Sequence, residues 1–381
     1  MLNELQEAFV AQFREPPQHI IRAPGRVNLI GEHTDYNNGF VLPCAIEQHT
    51  LVALSPRADE TVCTLALDYE HALDTFSLGE SLTSNAHQAW ANYVRGVVYA
   101  LQARDCSLRG CNIAITGNIP QGAGLSSSAA LEVGVAKALA VDNNLDITDL
   151  TLAQVGQAAE NDFVGCHCGI MDQLICTSAT AGTASLIDCK DFTVSPVSIP
   201  AGLSLIMVNS NVRRGLVDSQ YNDRREQCER AAATCGVSSL RDVSLQQFQV
   251  KRKAMEPLVA KRAQHVLEEN ERTLLTAAAL QNNDVDQLSQ LMAASHLSMR
   301  NLFEITVPPV DFLVAQIGEI LGSHGGVRMT GGGFGGCVVA LAPAELLDDI
   351  VARVEDTYYN HTGLRASIYT SAPAAGVASI Q

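Results

Sequence analysis

The stretch Gly122-Ala123-Gly124-Leu125-Ser126-Ser127-Ser128 joins backbone freedom to hydroxyl groups in a pattern suited to phosphate. Upstream, Cys111 to Thr116 alternates in polarity and stops at Gly117, which reads as a strand. Downstream, Ala129 to Val141 is rich in alanine and leucine and reads as a helix. A helix start presents N–H groups without partners and a positive partial charge. Glycines let an anion approach that backbone, and serines add hydroxyls that can donate to phosphate or ligate Mg²⁺. The plainer alternative is a glycine turn with serine N-caps. Two familiar phosphate loops do not fit. Ser126-Ser127-Ser128 has no lysine beside it, as a Walker A loop requires, and Ser127 stands where the dinucleotide fingerprint wants its third glycine.

A second polar cluster lies nearer the start: Arg26, Asn28, Glu32, His33 and Asp35. It follows a strand from about Ile20 and a predicted Pro24-Gly25 turn, and it ends at the turn signal Asn38-Gly39. Carboxylates accept from hydroxyls and imidazole can donate or accept, so this set suits a sugar. A solvated loop with helix-capping carboxylates, or a metal site, is the alternative, although adjacent residues rarely converge on one ion. Asp172 sits among Ile170, Met171, Leu174 and Ile175, where an ionised carboxylate needs a cation or donors. Helix capping would also explain it. Glu160 falls on a predicted helix, where a glutamate is ordinarily solvated. Cys166-His167-Cys168 resembles half of a zinc site, but no second pair with metal spacing lies nearby.

The elements that must position these groups are spread over 381 residues, a length that predicts two domains. Hydrophobic residues make up 47% and charged residues 17%, which is a globular composition. The formal charge of −16 argues against a nucleic-acid groove or an anionic membrane as partner, while a local cradle can still hold ATP. No apolar run has transmembrane length. Met1-Leu2-Asn3-Glu4-Leu5 lacks the features of a signal peptide, so the eleven scattered cysteines read as reduced thiols in a cytoplasm.

Along the chain, Leu2, Leu5, Phe9 and Phe13 share a helical face. Thr50 to Leu82 reads as antiparallel strands, and Ala89 to Val98 as a helix whose Trp90 belongs to the core rather than to a stacking platform. Thr151-x-x-Gln154 reads as a capping box that opens a helix ending near Gly165. The connection from Ser195-Pro196 to Pro200-Ala201 marks a boundary, giving domains 1–198 and 199–381. The second half reads as a strand Leu203–Val208, a loop with Arg213 and Arg214, a charged helix to Cys235, and helices near 256–281, 284–300 and 308–321. The glycine-rich run Gly325–Gly336, a strand Val338–Leu341, a helix near 344–360 and a last strand near Leu364–Thr370 follow. Helices on an antiparallel sheet, an α+β class, accommodate that order.

Taken together, the stretches resemble the GHMP small-molecule kinases. Pro120 to Ser128 and the glycine-rich loop before a C-terminal strand carry the general resemblance. Gly25-Arg26-Val27-Asn28-Leu29-Ile30-Gly31-Glu32-His33-Thr34-Asp35-Tyr36 looks like the signature of the galactokinases within that family. Gly169-Ile170-Met171-Asp172-Gln173 and Ser219-Gln220-Tyr221-Asn222-Asp223-Arg224-Arg225 are similar to galactokinases as well. The resemblance runs from about Ile21 to Leu341.

That resemblance implies a two-domain GHMP kinase fold: an N-terminal mixed sheet with helices, C-terminal helices on an antiparallel sheet, and an active site in the cleft between them. It implies transfer of the γ-phosphate of ATP, with Mg²⁺, to the anomeric hydroxyl of D-galactose, giving α-D-galactose 1-phosphate and ADP. By the same resemblance Gly122, Ala123, Gly124, Leu125, Ser126, Ser127 and Ser128 hold the triphosphate, and Ser128 and Glu160 hold Mg²⁺. Glu32, His33, Thr34, Asp35 and Gly169 face the sugar, with Tyr221 from the second domain. Arg26 and Asp172 flank the attacking hydroxyl, and Gly331 to Gly336 supports the phosphate loop. A monomer is the default. Three alternatives stay open: a kinase for N-acetylgalactosamine, another galactose-like sugar or an arabinose; a sugar and ATP sensor without catalysis; and a purely structural α+β protein.

Overall fold

The computed structural model describes residues 1–212 and 217–381. The expected loop residues Arg213 and Arg214 lie outside the described residues. The first half contains α1 (Leu2–Phe13), β1 (His19–Asn28), β2 (Phe40–Val41), β3 (Pro43–Pro56), β4 (Thr61–Ala66), β5 (Ala72–Ser77) and α2 (Ala91–Gln102). It continues with β6 (Cys111–Gly117), α3 (Ser127–Asp142), α4 (Asp149–Ala158), α5 (Met171–Ser178), β7 (Thr183–Asp188) and β8 (Thr193–Ser198). The second half contains β9 (Leu203–Asn209), α6 (Val217–Cys235), α7 (Leu245–Lys251), α8 (Pro257–Gln281), α9 (Val285–Ser298) and α10 (Pro308–Leu321). Strands β10 (Gly326–Thr330) and β11 (Cys337–Pro343), helix α11 (Leu347–Thr362), and strands β12 (Ser367–Ser371) and β13 (Ala378–Ser379) complete it.

A six-stranded sheet in the order β13-β1-β3-β6-β4-β5 forms the N-terminal frame. It is mixed, because β4 runs parallel to β6 while the other pairs are antiparallel. Strand alternation sends Ile20, Leu51, Ala53 and Ala114 to one face, where Leu5 and Phe9 of α1 cover them. Ile21, Val52, Leu54, Ile113 and Ile115 go to the other face, under α2, α3 and α4. Trp90, at the head of α2, belongs to this second cluster. Strands β2, β7 and β8 make a small separate sheet.

The C-terminal sheet, β10-β11-β9-β12, is antiparallel throughout. One face carries Ile206, Val208, Val338 and Ala340 against residues of α6, α8, α10 and α11. The opposite face carries Leu205, Met207, Val339 and Leu341 against Ala23, Val27, Leu29, Leu42 and Leu125 of the N-terminal half. The two halves therefore share a core, and the cleft opens where that core reaches the phosphate loop.

Several local expectations need correction. Pro24-Gly25 is no turn. Strand β1 runs through it with a register shift between Pro24 and Arg26, and the Arg26 N–H donates to the Leu125 carbonyl at 3.1 Å. The phosphate loop takes the place of a ladder partner there. Ser195-Pro196 lies within β8, opposite Leu186 and Ser185, on the edge of its sheet, where a missing N–H is tolerated. The capping box at Thr151 is displaced: α4 is capped by Thr148, whose side chain accepts from the Thr151 N–H, so Thr151 already lies in the first turn. The strand near Leu364–Thr370 begins at Ser367 and is not the last, since β13 returns to pair with β1 at Ile21 and Arg22.

Candidate active site

The phosphate loop is anchored by its apolar residues. Ala123 and Leu125 are buried in the shared core, which leaves Gly122 and Gly124 with positive φ beneath the cleft. Gly25 permits the close approach from below, because a Cβ there would meet the Leu125 carbonyl oxygen at 2.9 Å. Ser126 occupies the cap position of α3 in a left-handed conformation (φ 59°, ψ 50°) without making a side-chain cap bond. The serine N-cap alternative therefore fails at this residue. Its hydroxyl donates instead to Asp172 Oδ2 at 2.5 Å. Ser127 and Ser128 line the cleft, above the open N–H groups of the first turn.

Arg26 and Asp172, 146 residues apart in sequence, form a two-pronged pair. Arg26 Nε donates to Oδ1 at 2.7 Å and Nη2 to Oδ2 at 2.6 Å. Arg26 Nη1 donates to the Gly124 carbonyl at 2.5 Å, so β1, the phosphate loop and the start of α5 are tied at one point. Burial opposes the guanidinium charge, but the Asp172 carboxylate outweighs it and raises the Arg26 pKa.

The sugar-side candidates gather around the same cleft, with one exception. Glu32, His33, Asp35, Gly169 and Tyr221 line it together with Arg26 and Asp172. Thr34 does not: its buried hydroxyl bonds the Gly31 and Phe40 carbonyls at 2.9 and 2.7 Å, so it shapes the loop from inside. Asp35 packs so closely on Gly169 that a side chain at 169 would overlap its carboxylate. Burial, reinforced by the charge on Asp172, raises the Asp35 pKa to about 7. His33 has positive φ, and its Nδ1 pairs with the Tyr36 hydroxyl at 2.8 Å. Burial and the neighbouring His265 lower its pKa to about 3, leaving a neutral imidazole at the cleft. The Tyr221 ring stands 5.0 Å from that of His33.

The metal candidates fit a divalent cation. Ser128 and Glu160 both line the cleft, and the serine is near enough to favour the charged form of the carboxylate. Glu160 lies on a π-helical turn, Ala159–Val164, which follows α4 and ends at Gly165. Burial, helped by the Asp172 charge, raises the Glu160 pKa to about 7. A carboxylate displaced that far in the absence of a cation is one that a cation would restore. Behind it, Gln173 Nε2 bridges Glu160 and Glu132 at 2.8 and 3.0 Å. Across the cleft, the glycine-rich turn after β10 abuts the phosphate loop: a Cβ on Gly331 would lie 3.2 Å from the Gly124 carbonyl.

One part of the site escaped the sequence reading. A cavity of about 250 Å³ adjoins the phosphate loop and is lined by Asp68, Tyr69, Trp90, Thr116, Gly122, Ser127 and Ser128. The Tyr69 ring stacks at 6.0 Å from Trp90. Trp90 is therefore both a core residue and a cavity wall. Asp68 is held by the Thr116 hydroxyl and the Gly117 N–H at 2.9 and 2.8 Å. The cavity shares residues with the cleft, itself about 310 Å³, and together they reach the size of a small-molecule site with two compartments. The sole tryptophan was the only available signal.

Family models place this geometry among known proteins. The galactokinase galactose-binding signature matches residues 7–56, the GHMP kinases N terminal domain residues 92–180, and the GHMP kinases C terminal residues 276–360. The crystal structure of Lactococcus lactis galactokinase complexed with galactose is similar over 99% of both chains, with 31% identity and a TM-score of 0.95. Mevalonate kinase from Methanococcus jannaschii shares the fold at 18% identity and a TM-score of 0.63, covering 94% of this chain and 99% of its own. Homoserine kinase from Cytophaga hutchinsonii does so at 15% identity and 0.59, covering 95% and 97%.

Proposed function

The chain belongs to the galactokinase family of GHMP kinases, and from that premise we propose that its cleft transfers the γ-phosphoryl group of ATP to the anomeric hydroxyl of D-galactose. The products are α-D-galactose 1-phosphate and ADP. The observation that carries the reading is the Arg26–Asp172 pair, bonded to the backbone and to a serine of the phosphate loop. It puts a proton acceptor and a cation beside the place where a triphosphate would rest.

In this reading the anomeric oxygen attacks the γ-phosphorus, the bridging P–O bond to the β-phosphate breaks, and the hydroxyl proton passes to Asp172. A sugar hydroxyl is a far weaker acid than a carboxyl, so the proton moves late, as the oxygen gains positive character in a loose transition state. A guanidinium has five N–H groups, and Asp172 and Gly124 engage three of them in Arg26, leaving two for phosphoryl oxygens. The first turn of α3 accepts the triphosphate, and the Tyr69–Trp90 cavity takes the adenine. Ser128 and Glu160 would hold Mg²⁺, which when bound supplies further neutralisation of phosphate charge. Glu32, neutral His33, Asp35 and Tyr221 seat the sugar.

No helix among the described residues is long and apolar enough to cross a membrane. A monomer in the cytoplasm completes the proposal. A coupled assay of ADP release tests it. Galactose should drive turnover, and glucose should be poorer by up to roughly 10⁴, because buried polar groups lose their partner when one hydroxyl changes orientation. Equal turnover of the two epimers would overturn the sugar assignment.

A further inference from the structure

The loop that carries Glu32 is held from the opposite half of the molecule. The Gly331 N–H donates to Glu32 Oε1 at 2.9 Å, and Asn28 Nδ2 donates to Oε2 at 2.9 Å. His265 of α8 bonds the Glu32 carbonyl through Nε2 at 3.1 Å and Ser298 through Nδ1 at 2.8 Å. Glu269, one turn along α8, accepts from the Gly31 N–H at 3.2 Å and from Ser295 Oγ at 2.5 Å. Arg328 of β10 lies between these groups with no exposed surface. Its Nη1 donates to the Asn28 carbonyl at 3.2 Å, and its Nη2 stands 3.4 Å from Glu32 Oε1 and 4.0 Å from Glu269 Oε1. Arg272 Nε closes the row on Glu269 at 2.7 Å. Charges thus alternate from the cleft inward: Glu32, Arg328, Glu269, Arg272.

A guanidinium buried this deeply is a poor source of stability, because its desolvation offsets its ion pairs. Its geometry points to a different role. We infer that Arg328 is a positioning residue for sugar recognition: it fixes the Glu32 carboxylate against the glycine-rich turn, so that Glu32 presents a set orientation to one sugar hydroxyl. The inference rests on the reading of Glu32 as a sugar contact. Without Arg328, Glu32 and Glu269 would face each other with no cation between them. The Gly31–Glu32 segment would then move to relieve the repulsion. Burial pushes the Glu269 carboxyl up, but Arg272, His265 and Arg328 hold it at about 2, so its negative charge persists across the working pH range.

The test uses Glu32→Gln, Arg328→Met and Arg328→Lys, assayed with galactose and with the monodeoxygalactoses that keep the anomeric hydroxyl. Fluorescence of Trp90, the sole tryptophan and a wall of the cavity beside the phosphate loop, reports nucleotide binding separately. Glu32→Gln should raise the galactose KM yet have no further effect on one deoxy sugar, which identifies the hydroxyl. Arg328→Met should spare the same deoxy sugar and raise the galactose KM on the order of ten- to a hundredfold, the range that outer partners of ligating groups command in metal sites. Its kcat and nucleotide quench should stay near the parent values. Arg328→Lys should show the same selectivity with a smaller effect, and it decides the matter if the methionine variant does not fold. A penalty spread equally over all the sugars, or an unchanged KM, overturns the role of Arg328 while leaving Glu32 in place. If Glu32→Gln singles out no hydroxyl, the sugar contact itself is wrong and the inference falls with it.

Discussion

Asp172 is gripped on both oxygens, by Arg26 and by Ser126, so an amide at this position keeps the size of the side chain but sets an NH2 against a guanidinium N–H and removes the proton acceptor. Asp172→Asn should lower turnover by about 10² to 10⁴, the range of a positioned general base, while ATP still quenches Trp90 fluorescence. Turnover near the parent value would exclude the base role. Glu160 gives a second test. Its folded pKa of about 7 lies above its ordinary 4.5, so the folded protein holds a proton that the unfolded chain releases. Between those values, rising pH favours the unfolded state, and the loss is complete above about 7. Asp35 acts in the same direction, from 3.8 to about 7. His33 and His265 oppose them: their lowered values, about 3 and about 4, give stability that grows as pH rises toward 6.5. The parent curve therefore mixes both signs, and burial together with the Glu160 charge also raises the Glu132 pKa well above its ordinary value. The melting temperature of ligand-free Glu160→Gln, relative to parent, should climb as pH rises above 4.5, because the variant removes both the burial cost of the Glu160 charge and its repulsion of Glu132. A pH-independent difference would contradict this origin. At this scale the sequence was most legible where a motif was local. Arg26, Asp172, Ser128 and Glu160 converge as expected, whereas Asp68 and Tyr69 sit in an unremarkable connection after β4, and only the tertiary fold places them beside the phosphate loop. Thr34 misled because a threonine within a polar run looks the same whether it faces a ligand or its own backbone.

Helices with strong periodicity were readable, among them α8, α9 and α10, with Pro308-Pro309 opening the last as expected. Strand β10 was not, since Gly325 and Gly326 at its start belong to a run that reads as a glycine-rich loop, and only the tertiary fold surrounds its central Arg328 with α8 and the sugar loop. Strand β13 has two residues and exists only because the β1 edge awaits it. Helix α7 went unnoticed although Ser244 and Gln247 form a true capping box. The corrected cap of α4 yields a prediction. Thr148→Ala should destabilise the protein by about 1 kcal/mol, and Thr151→Ala by less, in denaturant titrations. The reverse order would restore the capping box first assigned to Thr151. The approach of β1 to the phosphate loop yields another. Gly25→Ala places a methyl 2.9 Å from the Leu125 carbonyl, a backbone atom that must move. The protein should lose about 1–3 kcal/mol of stability, the usual penalty of overpacking, and nucleotide affinity, read by Trp90 quenching, should fall as the loop is displaced. Unaltered affinity would show that the loop is not set by this contact.

For the whole molecule, the shared core has the largest consequence. The C-terminal sheet buries one face in its own helices and the other in the N-terminal half, so neither half has a complete core alone. Sequence patterning anticipated the helices on one face. The continuous apolar run Leu205-Ile206-Met207-Val208 marks a buried strand, but nothing in such a run says that the N-terminal half covers its second face. Calorimetry should therefore give one cooperative transition that shifts upward with galactose and nucleotide, and two separate transitions would contradict a common core. The same packing fixes Arg26, the phosphate loop and the sugar loop in one frame, which is the basis for the proposed chemistry. That chemistry is tested most directly by ³¹P NMR of a reaction containing galactose, ATP and Mg²⁺. The account predicts a phosphorus signal coupled to the anomeric proton of an α-galactosyl phosphate, growing in step with ADP and lost in Asp172→Asn. Phosphate on any other sugar oxygen, or ATP consumption without a sugar phosphate, would contradict it.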